Sequence, residues 1–322
     1  MRPTHLLEVN GLKVAFPLGG GLAEAVRGTN FTIDKGEAVG LLGESGSGKS
    51  VSALAILGLI TPPGLITEGS VWFAGRNLRT LNYAEMRNVR GREISIVFQD
   101  PQTTFNPSLT IGRQLLHVIR THTSRSTSQA RKRALEVLEV VGLPDPARVM
   151  NCYPHQLSGG MRQRVSIGMA LACEPTLLIA DEPTTALDVT IQAQMVELFR
   201  KLQDELDLTL LYITHNLDLM AELCSRAIVM YGGTIVEAGL VKDLFESPRH
   251  PYTRMLIDCV PRLDAENAEL TVIPGMPPSL GSTTNGCPFE PRCPSALERC
   301  AQESPIEDTD GCHRVSCWRA AK

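Results

Sequence analysis

Gly43-Glu44-Ser45-Gly46-Ser47-Gly48-Lys49-Ser50, running on into Val51, is the stretch that decides the fold. The spacing Gly-x-x-x-x-Gly-Lys-Ser describes a loop that cradles phosphate groups. Its glycines let successive backbone N–H groups converge on an anion with no side chain in the way. A helix starting near Gly48 adds the positive end of its dipole. Lys49 is expected to reach the β- and γ-phosphates of a nucleotide, and Ser50 to ligate its magnesium. The flanks agree with this reading. Ala38-Val39-Gly40-Leu41-Leu42 is a short apolar run suited to a buried strand, and Val51 to Leu57 continues as a helix. The glycine spacing does not suit a dinucleotide fingerprint, which would also leave the lysine without a role.

Working outward, the 322 residues suffice for one large domain and a small one, or two modest ones. With 43% hydrophobic and 20% charged residues the chain reads as globular, and a net charge of −4 argues against broad nucleic-acid binding. Nothing approaches 18 consecutive apolar residues, so no transmembrane helix is expected. Met1 to Asn10 lacks the basic-then-apolar pattern of a secretory signal. The expectation is a cytoplasmic protein whose membrane role comes through partners.

Short strands are predicted over Leu6–Phe16, Val26–Ile33, Gly69–Phe73 and Glu93–Phe98, with a turn at 17–21. Residues 107–157 are mostly helical in pattern. The polar stretch Thr121–Arg133 reads as a solvated connection and helix face. Leu177–Ala180 is a buried-strand run. Thr190–Leu206 is an amphipathic helix with Ile191, Met195, Leu198, Phe199, Leu202 and Leu206 on one stripe. Thr209–Thr214 is a further strand, followed by a helix and by a hairpin across Tyr231-Gly232-Gly233-Thr234. Alternating strands and helices predict an α/β fold with a largely parallel sheet. After about residue 245 prolines, glycines and cysteines become dense, which places a boundary there.

Two more constellations carry chemistry. Leu177-Leu178-Ile179-Ala180-Asp181-Glu182-Pro183 is an apolar strand ending in two carboxylates. Asp181 is expected to hold magnesium, and Glu182 to polarise the attacking water as general base. Leu157-Ser158-Gly159-Gly160-Met161 opens a helix with a serine and two glycines, a second anion-binding nest.

With these elements in this order, residues 5–240 resemble the ATP-binding cassette ATPases. The resemblance implies a RecA-like parallel-sheet core, an N-terminal antiparallel β part and an α-helical subdomain near residues 100–165, together spanning 1–245. Gln99, in Val97-Phe98-Gln99-Asp100-Pro101, sits where the family has a glutamine that reaches the magnesium and the attacking water. Ser158, Gly159 and Gly160 match the signature motif, with Met161 where glutamine is usual. Asp181 and Glu182 match the family's carboxylate pair. Ala186-Leu187-Asp188 match the loop that crosses the dimer interface, and His215 matches the histidine that contacts the γ-phosphate. Phe16 is the candidate for stacking on adenine. The resemblance implies ATP and magnesium as cofactors and a composite site, in which each signature completes the nucleotide site of a second ATPase subunit.

The tail narrows the branch. Ser247-Pro248-Arg249-His250-Pro251-Tyr252-Thr253, Pro274-Gly275, Cys287-Pro288-Phe289 and Pro291-Arg292-Cys293-Pro294 resemble the C-terminal extension, here 246–322, of the oligopeptide, dipeptide and nickel importer ATPases. That implies a related, non-identical ATPase partner, two membrane permeases and, indirectly, a substrate-binding protein, at the cytoplasmic face of the inner membrane. Five of the nine cysteines fall between 287 and 317. Cys287, Cys293, Cys300 and Cys317 lack the short Cys-x2–4-Cys knuckle of structural zinc, whereas wider gaps suit an iron–sulfur core. The family resemblance favours a [4Fe–4S] cluster on these four, with Cys312 as the alternative fourth ligand and zinc as the alternative metal. Such a cluster could brace the tail or report redox state. Cys152, Cys173, Cys224 and Cys259 read as small apolar fillers. The rival functions are nickel or other small-solute import by the same machinery, and a soluble cassette ATPase acting on nucleic acid or ribosomes.

Overall fold

The computed structural model describes residues 5–185, 187–260, 272–282 and 285–320. The chain forms two compact units. One comprises 1–33, 38–79 and 214–322; the other comprises 34–37 and 80–213.

The first unit contains an antiparallel sheet in which Leu7–Leu18 lies between Gly21–Ile33 and Leu65–Phe73, with the short strand Arg76–Asn77 at its edge. Alternation drives it: Leu7, Val9, Leu12 and Val14 are buried while Glu8, Asn10, Gly11 and Lys13 between them are not. The strands run longer than sequence patterning predicts, because backbone pairing carries them past the apolar residues up to the Gly19–Gly20 turn, where both φ values are positive. The same unit holds the buried strand Ala38–Leu42, which pairs in parallel with Arg226–Tyr231. The hairpin predicted at Gly232-Gly233 is present and leads into Thr234–Leu240.

The tail packs within this unit. His313–Val315 pairs antiparallel to Thr234–Leu240, and Asp308–Asp310 adds the next strand. Burial explains the arrangement: Phe289 is fully buried and packs edge-on to Tyr231, 5.1 Å between ring centroids, and near Tyr252, so the tail borrows a core it is too small to build alone.

The second unit carries three parallel strands, Ile94–Val97, Leu177–Asp181 and Thr209–Thr214, with Leu177–Asp181 in the middle. Its helices include Ile111–His122, Thr127–Val140, Gly159–Leu171 and Val189–Leu206. The last matches the predicted amphipathic helix, with three differences, the first being that Ile191 is only half-buried. Val196 joins the buried stripe, and Leu206 is 48% exposed because the helix stops at Asp207 in a left-handed conformation, φ 50°. The polar stretch 121–133 is more than a solvated face. Arg133 donates to the carbonyls of Leu171 and Ala172, capping the carboxyl end of Gly159–Leu171. Among the described residues no helix is long and apolar enough to cross a membrane.

Candidate functional site

In the first unit the phosphate loop follows Ala38–Leu42 directly and hands over to the helix Lys49–Ile56, whose N-cap is Gly48 at φ 101°. Only glycine fits there: a Cβ on Gly48 would stand 2.6 Å from the carbonyl oxygen of Ala25. Lys49 is 5% exposed, and its Nζ donates to the carbonyls of Gly43 (2.7 Å) and Glu44 (3.1 Å). Burying an ammonium among carbonyls keeps it aimed into the loop, where phosphate oxygens are its natural acceptors. Ser45 and Gly46 are exposed, whereas Ser47 is buried and its carbonyl accepts from the N–H of Gly233. Ser50 and Val51, in the first turn of the helix, are half-buried. A cavity of about 710 Å³ opens beside Gly46, walled by Leu18 and Leu22 of the first hairpin and by Pro278 and Leu280 of the tail. Phe16 is half-buried with its ring against Gly64. His215 is exposed, one residue beyond the strand Thr209–Thr214.

In the second unit Asp181 ends its strand 7% exposed. Glu182 follows at φ 46°, a left-handed conformation that costs energy for a non-glycine residue and turns its carboxylate out of the strand direction. Gln99 Nε2 donates to Glu182 Oε2 (3.1 Å), and Thr185 Oγ1 donates to the same oxygen (2.9 Å). Two candidate residues 83 positions apart are thus joined, and Thr185 is a partner that sequence reasoning missed. Ser158 caps the helix Gly159–Leu171, its Oγ accepting from the N–H of Met161. Asp188 caps Val189–Leu206 by accepting from Ile191 N–H. Ser158, Gly159 and Asp188 are exposed, and beside them Val189 is 81% exposed. Ala186 lies outside the described residues.

The tail motif at 247–253 acquires a physical role. Arg249 pairs with Asp308 and donates to the carbonyl of Ala320. The backbone N–H groups of Arg249 and His250 both donate to the fully buried carboxylate of Glu237, which also meets His313 Nε2 at 2.7 Å. His250 Nδ1 accepts from Tyr252 N–H, so the ring proton sits on Nε2, which is buried without a partner. Burial holds this imidazole down to about 3 from an ordinary 6.5. An unfolded chain takes up that proton near pH 6.5, so between about 6.5 and 3 the unfolded state binds more protons. The stabilisation is complete above pH 6.5 and is lost as pH falls through that window. His250→Asn, which keeps a capping acceptor, is expected to flatten the acid side of the stability–pH curve by a contribution on the order of a few kcal/mol, read by denaturant unfolding at several pH values.

Cys287, Cys293, Cys300 and Cys317 lie close enough together that each pair interacts electrostatically. Burial, reinforced by the neighbouring sulfurs, pushes the Cys287 thiol up to about 11. Cys312 is exposed. The expected metal centre is not preassembled: among the described residues no three His, Cys, Asp or Glu side chains stand ready to hold a metal ion. Of the four remaining cysteines, Cys173 and Cys224 are buried as expected of fillers, while Cys152 and Cys259 are only half-buried.

Comparison with known proteins gives the following. Residues 26–185 match the ABC transporter family, and residues 236–300 match the oligopeptide/dipeptide transporter C-terminal region. The chain is 48% identical over 315 residues to the dipeptide transport ATP-binding protein DppD of Bacillus subtilis (strain 168), covering 97% of this chain and 94% of the relative. It is 47% identical over 302 residues to the oligopeptide transport ATP-binding protein OppD of Salmonella typhimurium, covering 94% and 90%. Among solved structures it is similar to a dimeric ATP-binding cassette in a post-hydrolysis state bound to ADP and Pi. There the TM-score is 0.66 at 30% identity, over 73% of this chain and 98% of that one.

Proposed function

The chain belongs to the ABC transporter family, in its oligopeptide/dipeptide branch, and from that premise we propose that it is the ATP-hydrolysing subunit of a multisubunit importer of di- and oligopeptides. The observation that carries this is the extent of the similarity, which runs through the cassette and on into the tail at about 47–48% identity. Backbone N–H groups of Gly43–Ser50 and the Lys49 ammonium bind the ATP phosphates, and Ser50, Gln99 and Asp181 serve its magnesium. Glu182 takes the proton of the attacking water, with Gln99 and Thr185 orienting its carboxylate. His215 contacts the γ-phosphate, and Phe16 serves the adenine end.

Ser158, Gly159, Gly160 and Asp188 serve a second, related ATPase subunit. The exposure of Ser158, Gly159 and Asp188 supports this role, since it leaves the capping ends of both helices open to a partner. ATP-driven closure of the pair moves two permease subunits at the cytoplasmic face of the membrane, with a binding protein delivering the peptide. Affinity purification of the chain from detergent-solubilised membranes tests this. Co-purification of two permeases and a second ATPase, with peptide uptake lost on deleting the chain, is the expected result. Recovery with ribosomes or nucleic acid, or loss of nickel uptake with peptide uptake intact, would overturn it.

The four tail thiols are the proposed [4Fe–4S] ligands. An all-sulfur donor set without carboxylates suits an iron–sulfur core or zinc, and Cys317 joins the set where Cys312 does not. Iron and acid-labile sulfide co-eluting with anaerobically purified chain, and lost in Cys300→Ser, are expected. Zinc without sulfide would refute the cluster.

A further inference from the structure

Glu44 is the second residue of the phosphate loop, and it is an acid in a loop built to attract anions. Unpaired, its carboxylate would repel phosphate and compete for Lys49. The tail removes that conflict. Arg292, with a side chain only 5% exposed, meets the Glu44 carboxylate through two parallel bonds: Nη1 to Oε2 at 2.6 Å and Nη2 to Oε1 at 3.1 Å. Its other donors are also engaged. Nε donates to the carbonyl of Pro274 (2.8 Å), Nη1 also to the hydroxyl of Tyr231 (3.1 Å), and Nη2 also to the carbonyl of Ile273 (3.3 Å). All five guanidinium N–H groups are therefore used, a geometry that lysine cannot reproduce.

A second tail residue holds the same loop position from another side. Tyr252 OH accepts from the backbone N–H of Glu44 at 2.9 Å. The carbonyl of Glu44 meanwhile accepts from Lys49 Nζ and from Ser47 N–H. Side chain, N–H and carbonyl of one loop residue are all fixed, two of the three by residues more than 200 positions away in the sequence. Arg292 closes the single 3-10 turn Glu290–Arg292, inside the Cys287–Cys293 segment, whose first N–H donates to the carbonyl of Cys300. The thiol-bearing segment and the phosphate loop are thus one residue apart in their chain of contacts.

We propose that Arg292 and Tyr252 are positioning residues for nucleotide binding: the tail sets ATP affinity by holding Glu44 and neutralising its charge, without touching the nucleotide. This rests on the ATP-binding reading of Gly43–Ser50. The predicted signature is a change in affinity with little change in maximal rate, because the hydrolytic residues are untouched. The test is titration of the full chain with a fluorescent ATP analogue, together with ATP hydrolysis at varied ATP. Arg292→Met is expected to weaken analogue binding and raise KM roughly ten- to a hundred-fold, with kcat at saturating ATP within about twofold. Arg292→Lys is expected to restore only part of this. Adding Glu44→Gln to Arg292→Met removes the unpaired charge and is expected to recover most of the affinity, so the cycle is non-additive.

Unchanged affinity in a folded Arg292→Met, or additive effects in the cycle, would overturn the proposal. If Arg292→Met does not fold, Tyr252→Phe carries the same test by orphaning one N–H of the loop. A severalfold loss of affinity is then expected, and wild-type affinity is the refuting result. Absence of analogue binding by the unmodified chain would instead refute the ATP-binding reading itself, so the two failures are distinct.

Discussion

Glu182→Gln is expected to reduce steady-state phosphate release by about a hundred- to ten-thousand-fold while leaving ATP bound. The substitution is nearly isosteric. The amide oxygen still accepts from Thr185 Oγ1 and Gln99 Nε2, and the left-handed backbone at φ 46° is not altered. What disappears is the negative charge that, in the proposed mechanism, takes a proton from the attacking water. Binding and chemistry are therefore expected to separate: the variant holds ATP, and the proposed pair with a second ATPase subunit stays closed. Phosphate release by rapid quench, with size-exclusion chromatography in ATP for the closed pair, reads both. Hydrolysis at the normal rate would remove Glu182 from its role as base. Because Gln99 and Thr185 share one carboxylate oxygen, Thr185→Ala is the milder counterpart, losing orientation and keeping the base.

The second large effect is expected at Lys49. Its ammonium is almost fully buried and donates to the carbonyls of Gly43 and Glu44, which holds its charge at the loop and away from bulk water. Lys49→Ala removes a charge-assisted contact to phosphate worth about 1.5–3 kcal/mol, which corresponds to roughly a ten- to hundred-fold loss of nucleotide affinity. It also strips the carbonyls of Gly43 and Glu44 of a donor, adding a cost in loop order. Fluorescent-analogue titration checks the affinity, and a thermal melt without nucleotide separates the two contributions. A change in melting temperature with unaltered affinity would mean that Lys49 braces the loop and does not bind phosphate.

The two variants bear on separate compact units, and their legibility in the sequence differed little. The run Gly43–Ser50 and the strand ending Asp181-Glu182 are local patterns. Each encodes a strand, a turn and a charged terminus within about ten residues, so spacing alone reveals them. The same holds for Ser158 and Asp188, which announce themselves as helix caps. The hydrogen bond from Gln99 to Glu182 was not legible, nor was the role of Thr185. The first depends on how parallel strands bring together loops 83 residues apart, the second on the conformation of the turn that follows Glu182. Thr185 carried a weak signal, a hydroxyl three residues past the proposed base in the run Pro183-Thr184-Thr185.

The cysteine tail shows the limit most clearly. Composition set it apart after residue 245, because proline and glycine break the periodicities that mark helices and strands. Packing joined it to the hairpin that precedes it, because its one fully buried phenylalanine packs against Tyr231 as well as against Tyr252 of the tail itself. Spacing left Cys312 and Cys317 as alternatives. The turn between Asp308–Asp310 and His313–Val315 leaves Cys312 at an exposed tip, whereas Cys317 folds back toward Cys287, Cys293 and Cys300.

By itself, then, the sequence determined the ATPase chemistry and the order of its elements, since phosphate cradles, carboxylate pairs and helix caps are built from neighbours along the chain. Only the tertiary structure decided that Arg292 and Tyr252 grip Glu44. An ion pair spanning 248 residues leaves no periodicity to read; it exists because folding places a buried guanidinium against a half-buried carboxylate.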